Sequence, residues 1–177
     1  MKIPTLNTIT FDGKPNQMII FKRALKALID HSQQLIAFDK LLVDQKQLSP
    51  FRSSFEQGSL IIEPTNEQDL ATAAPIFIKT INPKSVQINL WTDHYPIDQD
   101  FLQQLAKTYQ LDLINLKYYQ PENNFYYGIA LINQKQIKTI NQQLKTKLKP
   151  AATDFAKALE ILEHQLAHPV KQSTIKI

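Results

Sequence analysis

The sequence predicts an α+β fold: an antiparallel-rich sheet of about four to six strands, covered by helices from both ends of the chain. Three observations predict it. Segments 16–46 and 137–168 carry apolar residues at helical spacings of three and four. Between them, 59–132 is punctuated by short β-branched and aromatic runs bounded by turn residues. Within that sheet-rich core, residues 86–132 (VQINLWTDHYPIDQDFLQQLAKTYQLDLINLKYYQPENNFYYGIALI) parse as strand, helix, strand, turn, strand, and hold the only tryptophan and all six tyrosines. A length of 177 residues suits one domain, 1–177, with a sizeable core.

Taken in order, TITF at 8–11 reads as a strand and FDGKP after it as a turn. Residues 16–46 read as mainly helical, with Ile20, Ala24, Leu25, Leu28, Leu35 and Ile36 on one face; whether one helix or two is open. A short strand at 59–63 stops at Pro64, and 65–74 allows one or two helical turns. PIFIKTI and VQINLWT flank NPKS, a hairpin signature with Pro83 in the turn. A helix starts beside Pro96, with Asp98 and Asp100 at the positive end of its dipole and Phe101, Leu102, Leu105 and Tyr109 on its buried face. LDLINLKYY and FYYGIALI pair across QPENN. Ile137, Ile140, Leu144 and Leu148 then mark one helix of the tail. Phe155, Leu159, Leu162 and Leu166 mark a second, capped by Thr153 or Asp154 and ended by Pro169.

Composition removes several classes. Hydrophobic residues make up 43% and charged residues 20%, which suits a folded chain rather than a disordered one. Three scattered glycines, Gly13, Gly58 and Gly128, cannot build a glycine-rich phosphate cradle. The absence of cysteine removes disulfides, thiolate metal sites and a cysteine nucleophile. No apolar run reaches the length of a membrane span, and MKIPTLNTITFDGKPNQ lacks the apolar core of a secretory signal, so the expected location is cytoplasmic. Net charge is +4 with a pI of about 9.2. Arg23 and Arg52 are the only arginines, so the forked donors that recognise phosphate and guanine are scarce.

Four groups of residues are candidates for chemistry. Asp93 and His94, beside Tyr95 at a strand end, are the catalytic candidates, a carboxylate and a general base. Adjacent residues in an extended loop point apart, and no nucleophile stands out, which favours a plain loop histidine. His164 and His168 sit four apart on the last helix, with Glu160 a turn upstream, but Gln165 stands where a zinc-protease motif needs glutamate. No metal and no cofactor are expected. Lys135, Lys138, Lys145, Lys147 and Lys149 lie along a predicted helix free of acidic residues and suit a polyanion or a solvated face. In YYQPENNFYY, alternation sends one tyrosine of each pair to each sheet face, so Tyr119, Tyr126 or Tyr127 could stack on bases or on a partner.

The strand-helix-strand-strand unit is most of a split β-α-β arrangement of ferredoxin-like kind. About a quarter of the chain, through residues 86–134, resembles small ferredoxin-like domains of unknown function carried by phages and mobile elements. Thr92, Pro96, Tyr118, Tyr119, Phe125 and Gly128 match their pattern, while Asn123 and Asn124 replace its turn glycine. The resemblance implies the fold and a bacterial or phage-like setting, and carries no catalytic residue over.

The residues favour a non-enzymatic binding or regulatory protein. Its surface would be the tyrosine hairpin and the Trp91–Pro96 loop: Trp91, Tyr95, Tyr119, Tyr126 and Tyr127. The expected partner is another protein or a second copy. Single-stranded nucleic acid, held by the same hairpin with Lys135, Lys138 and Lys145, is the alternative; a hydrolase using Asp93 and His94 comes third.

Overall fold

A computed structural model describes residues 3–30, 36–37, 61–62, 78–122, 124–146 and 148–168. They form β1 (Pro4–Asp12), α1 (Pro15–Asp30), β2 (Ile36–Ala37), β3 (Ile61–Ile62), β4 (Ile78–Asn82), β5 (Ser85–Asp93), α2 (Gln99–Tyr109), β6 (Leu113–Tyr119), β7 (Tyr126–Ile132), β8 (Ile137–Gln143) and α3 (Ala152–Ala167). Six strands make one antiparallel sheet in the order β4-β5-β1-β6-β7-β8, and β2 pairs with β3 separately. The α+β class and the antiparallel sheet agree with expectation. The helical turns anticipated at 65–74 lie outside the described residues.

β1 is central. It pairs with β5 on one side and β6 on the other, so β5 and β6 run parallel with β1 between them and α2 crossing over it. Its burial alternates strictly. Thr5, Asn7, Ile9 and Phe11 point to the face that carries α1 and α2, and register places Val86, Ile88, Leu90, Ile114, Leu116 and Tyr118 on the same side. Thr8, Thr10 and Gln87 turn the other way and are half-buried, the Gln87 amide donating to Thr10 Oγ1 at 3.3 Å.

The helices follow from local chemistry. Pro15 opens α1, its missing N–H being one the first turn would leave unpaired. Met18, Phe21 and Leu25 are its buried stripe, and Phe21 packs between Phe11 (4.6 Å) and Tyr109 (5.2 Å). Ile20, expected on the buried face, is exposed; the aromatic anchor at Phe21 rotates the helix one position from the anticipated stripe. The described helix ends at Asp30, and Ile36, expected to extend that stripe, is in β2. Asp98 caps α2 by accepting from the amides of Asp100 (2.7 Å) and Phe101 (3.1 Å). Gln110 then adopts the left-handed region, with a φ of 52°, and stops it.

One element was misread. Residues 137–143, expected to be helical, form β8 on the sheet edge. Ile137 and Ile140 are three apart, which puts them on one face of a helix but on opposite faces of a strand. Here each meets a different core: Ile137 packs with the α1/α2 side and Ile140 with the α3 side. The Asn133 side chain closes the preceding turn by accepting from the amides of Lys135 (2.8 Å) and Gln136 (2.9 Å). Leu148, assigned to the same stripe, is 79% exposed.

α3 covers the second face over β7 and β8. Phe155, Leu159 and Leu162 are buried and Leu166 half-buried, as their spacing anticipates. Its N-cap is Ala151 rather than Thr153 or Asp154; Asp154 lies inside the first turn and accepts from the Ala151 amide at 2.8 Å. Glu163 reaches β6 from one flank, meeting Lys117 (2.6 Å) and Asn115 (3.0 Å).

Gly128 pairs with Tyr118, and a Cβ there would lie 2.3 Å from the Tyr118 hydroxyl and 2.5 Å from its ring. The missing side chain is what lets Tyr118 lie flat across β7. Gly128→Ala is therefore expected to lower stability by about 1–3 kcal/mol, the usual cost of overpacking. Chemical denaturation should show most of that loss disappearing in a Gly128→Ala/Tyr118→Leu double variant.

Candidate functional site

The site starts from a buried polar knot where β1 meets the end of β5. Asn7, fully buried, donates through Nδ2 to Thr92 Oγ1 (2.8 Å) and the Thr5 carbonyl (3.1 Å), and accepts at Oδ1 from the Ile97 amide (3.0 Å). The Thr92 hydroxyl passes the chain on by donating to the Tyr95 carbonyl. Gln120, at the end of β6, donates to Thr5 Oγ1 (3.1 Å) and to the His94 carbonyl. His94 turns the chain with a φ of 65°, a conformation uncommon outside glycine, and its amide donates to the Ile3 carbonyl at 2.7 Å. These bonds fix the loop from β5 to α2.

Beyond the knot, that loop and the first turn of α2 stand away from β7 and β8. They leave an open cleft of about 1010 Å³. Tyr118, Tyr126, Thr139, Asn141 and Gln143 form its sheet side, and His94, Tyr95, Asp98 and Asp100 the opposite side. Tyr118 and Tyr126 lie with ring centroids 5.8 Å apart. Gln99 Nε2 spans the gap to Thr139 Oγ1 at 3.3 Å. Tyr95 is 77% exposed on the rim.

Burial raises the Tyr118 pKa well above the tyrosine range, helped by the neighbouring Tyr126 hydroxyl, while hydrogen bonds with Asn141 and Thr139 pull the other way. Tyr118 is thus held as a neutral hydroxyl, able to donate and accept. Asp98 is committed to capping α2. Most of the polar side chains in the lining are amides and hydroxyls, beside His94, Asp98 and Asp100, which suits many-point hydrogen bonding.

The anticipated site residues divide. Tyr126, half-buried, and Tyr95 reach the cleft. Tyr119 and Tyr127 do not: α3 covers them, Tyr119 stacking on Phe155 at 4.5 Å and 17° and Tyr127 meeting the same ring edge-on at 6.5 Å. Tyr127 is buried, with its hydroxyl donating to Gln142 Oε1 at 3.0 Å. Trp91 and Asp93 pair with Leu6 and Pro4 in the sheet register, but their side chains lie outside those described. His94 has its ring half-buried at the cleft, and both its main-chain groups are committed to the corner. Lys135, Lys138 and Lys145 are exposed, but lie along an edge strand and its flanks rather than on a helix. Lys149 pairs with Glu122 at 3.6 Å. The His164 and His168 rings are 4.9 Å apart, and among the described residues no three His, Asp or Glu side chains come together as a metal site.

Asn7, Gln120, Thr139, Asn141 and Gln143 were not singled out by sequence reasoning. Single amides and hydroxyls carry no motif, and Gln120 and Thr5 are brought together across 115 positions. No protein-family model matches the chain, and neither a curated protein nor a solved structure matches it.

Two outcomes are expected. Asn7→Leu should cost about 1–3 kcal/mol, because the Ile97 amide loses its acceptor and the Thr92 oxygen loses a donor while its hydroxyl keeps the Tyr95 carbonyl. Hydrogen exchange should then find the Ile97 amide unprotected. Tyr118 and Tyr119 both have raised pKa values through burial, so the folded state keeps protons that unfolded tyrosines lose near 10.0. Stability should be full below that pH and fall as pH rises toward the raised values. Urea unfolding across alkaline pH should show this slope, flattened in Tyr118→Phe/Tyr119→Phe.

Proposed function

We propose that this chain is a non-enzymatic binding protein whose ligand seat is the cleft between the 94–100 segment and the β6-β7-β8 surface. The observation that carries this is the cleft's lining: buried and half-buried tyrosines with Thr139, Asn141 and Gln143 on the sheet side, faced by a loop that the knot around Asn7 fixes. Such a surface matches a segment of another protein, whose backbone offers regularly spaced donors and acceptors. The exposed Tyr95 ring on the rim adds an apolar contact with a polar tip, as partner-binding tyrosines do.

The ferredoxin-like relationship belongs to the same proposal. The expected unit at 86–132 corresponds to β5, α2, β6 and β7; a different set, β1, α1, β4, β5, α2 and β6, also follows a β-α-β-β-α-β order, with β2 and β3 inserted after α1 and β7, β8 and α3 added. Topology of this kind is shared by binding modules and enzymes alike, so it supports the layout and leaves the ligand to the cleft.

Single-stranded nucleic acid is the less supported ligand. Base stacking needs an open aromatic face, and Tyr119 and Tyr127 are taken up by Phe155. The exposed lysines of β8 and its flanks remain, with Tyr126 at the cleft as their aromatic neighbour.

Selection of a phage-displayed random peptide library on the purified chain tests the reading. Enriched peptides should bind the wild type and lose roughly tenfold or more in affinity to Tyr95→Ala and Asn141→Lys, a loss typical of central contacts. Mixed-sequence oligonucleotides should bind weakly at low salt. Tight oligonucleotide binding that falls steeply with salt, together with peptides indifferent to both substitutions, would replace the cleft reading with the nucleic-acid one.

A further inference from the structure

We propose that β8 is a self-association edge, on which a second copy of this chain pairs antiparallel about Ile140 to continue the sheet across a two-fold axis. The inference stands independently of what fills the cleft.

The two ends of the sheet differ. β4 has five residues and a register break between Thr80 and Asn82, features that blunt an edge. β8 has seven residues in unbroken register with β7, no proline, and one charged side chain, Lys138. Backbone bonds bracket it: the Asn133 amide donates to the Gln136 carbonyl and the Leu144 amide to the Phe125 carbonyl, each at 3.0 Å. Antiparallel bonding alternates along a strand, so Lys138, Ile140 and Gln142 spend their backbone groups on β7. Ile137, Thr139, Asn141 and Gln143 therefore direct theirs outward.

That edge is complementary to itself. Two antiparallel β8 strands centred on Ile140 set Ile137 opposite Gln143 and Thr139 opposite Asn141 as hydrogen-bonded pairs. Lys138 falls opposite Gln142. The two copies of Lys138 are then four residues apart along the strand, about 13 Å, beyond the ~8 Å screening length at physiological salt. Charge does not oppose the pairing.

α3 supplies the second contact. Glu163 reaches β6, so the flank projecting about 200° away, two residues earlier on the helix, faces the β8 side. Ile161 stands on that flank, 60% exposed. α3 packs over β7 and β8, and with strands ~4.8 Å apart the two α3 helices of a paired sheet would lie about 10 Å apart, within helix-packing distance. Both Ile161 side chains would then be on one face, flanking the axis.

The test uses the full chain, which has no cysteine of its own. Sedimentation equilibrium of the wild type should give a concentration-dependent dimer. Thr139→Pro removes an outward-facing amide, Thr139→Ala controls for the hydroxyl bonds to Gln99 and the Ile129 carbonyl that it also removes, and Ile161→Glu changes an exposed residue. Thr139→Pro and Ile161→Glu should each weaken dimerisation roughly tenfold or more, and Thr139→Ala should leave it intact, while the far-ultraviolet circular dichroism stays unchanged. Ile140→Cys, at a close non-hydrogen-bonded pair, should oxidise to a disulfide-linked dimer, and Lys138→Cys should not. A chain monomeric at every concentration overturns the proposal. So does a dimer indifferent to both Thr139→Pro and Ile161→Glu, or equal cross-linking at positions 138 and 140. A monomeric chain whose β8 amides gain protection only from selected peptides would assign the edge to a different protein and overturn it equally.

Discussion

Buried at one end of β1, the side chain of Asn7 has to place two donors and an acceptor where water does not reach. It does so by gathering the end of β5, the start of the segment before α2 and its own strand around one amide. An uncompensated amide in that position would cost more than a typical hydrogen bond returns, so the chain beyond Thr92 has little freedom. The direction in which it leaves the sheet decides where α2 begins, and Asp98 then fixes the helix start. The cleft is the space that this geometry leaves between the helix start and β8. Tyr118 completes it from the other side, and can do so because Gly128 offers no side chain to displace it.

What was legible in the sequence was local. The α2 start, with proline, acidic first turn and buried stripe, uses signals contained within ten or so residues, and the β4-β5 and β6-β7 hairpins declare themselves through their turns. α3 has a long periodic stripe with no competing reading. β8 departs from expectation because its isoleucines serve two cores at once, as the side chains of any strand covered on both faces do, β7 included. Spacing cannot distinguish that from a helix, since three residues is close to one turn of one and an odd step of the other.

The site was legible to a smaller degree for a related reason. Alternation sends one tyrosine of each pair to each sheet face, but only the register groups Tyr118 with Tyr126 and sets Tyr119 opposite Tyr127. Which pair is left uncovered depends on α3, a helix that follows the hairpin and docks on one face only. The position of β1 between β5 and β6 was equally hidden, because pairing across more than a hundred positions leaves no short-range trace. Without it, Asn7, Thr5 and Gln120 cannot be seen to converge.

Covering both faces of the sheet has a consequence for where binding can occur. Among the described side chains, a sheet that spends one face on α1 and α2, and half of the other on α3, shows little open aromatic surface for a flat ligand. Thr8, Thr10 and Gln87 on the remaining half are polar, with Gln87 and Thr10 already paired. Among the described residues, recognition capacity is found at the β8 side, in two forms that share residues. The side chains of Thr139, Asn141 and Gln143 face the cleft, and the backbone groups of the same residues face outward along the edge. A ligand in the cleft and a strand on the edge would approach one row of residues at right angles to each other.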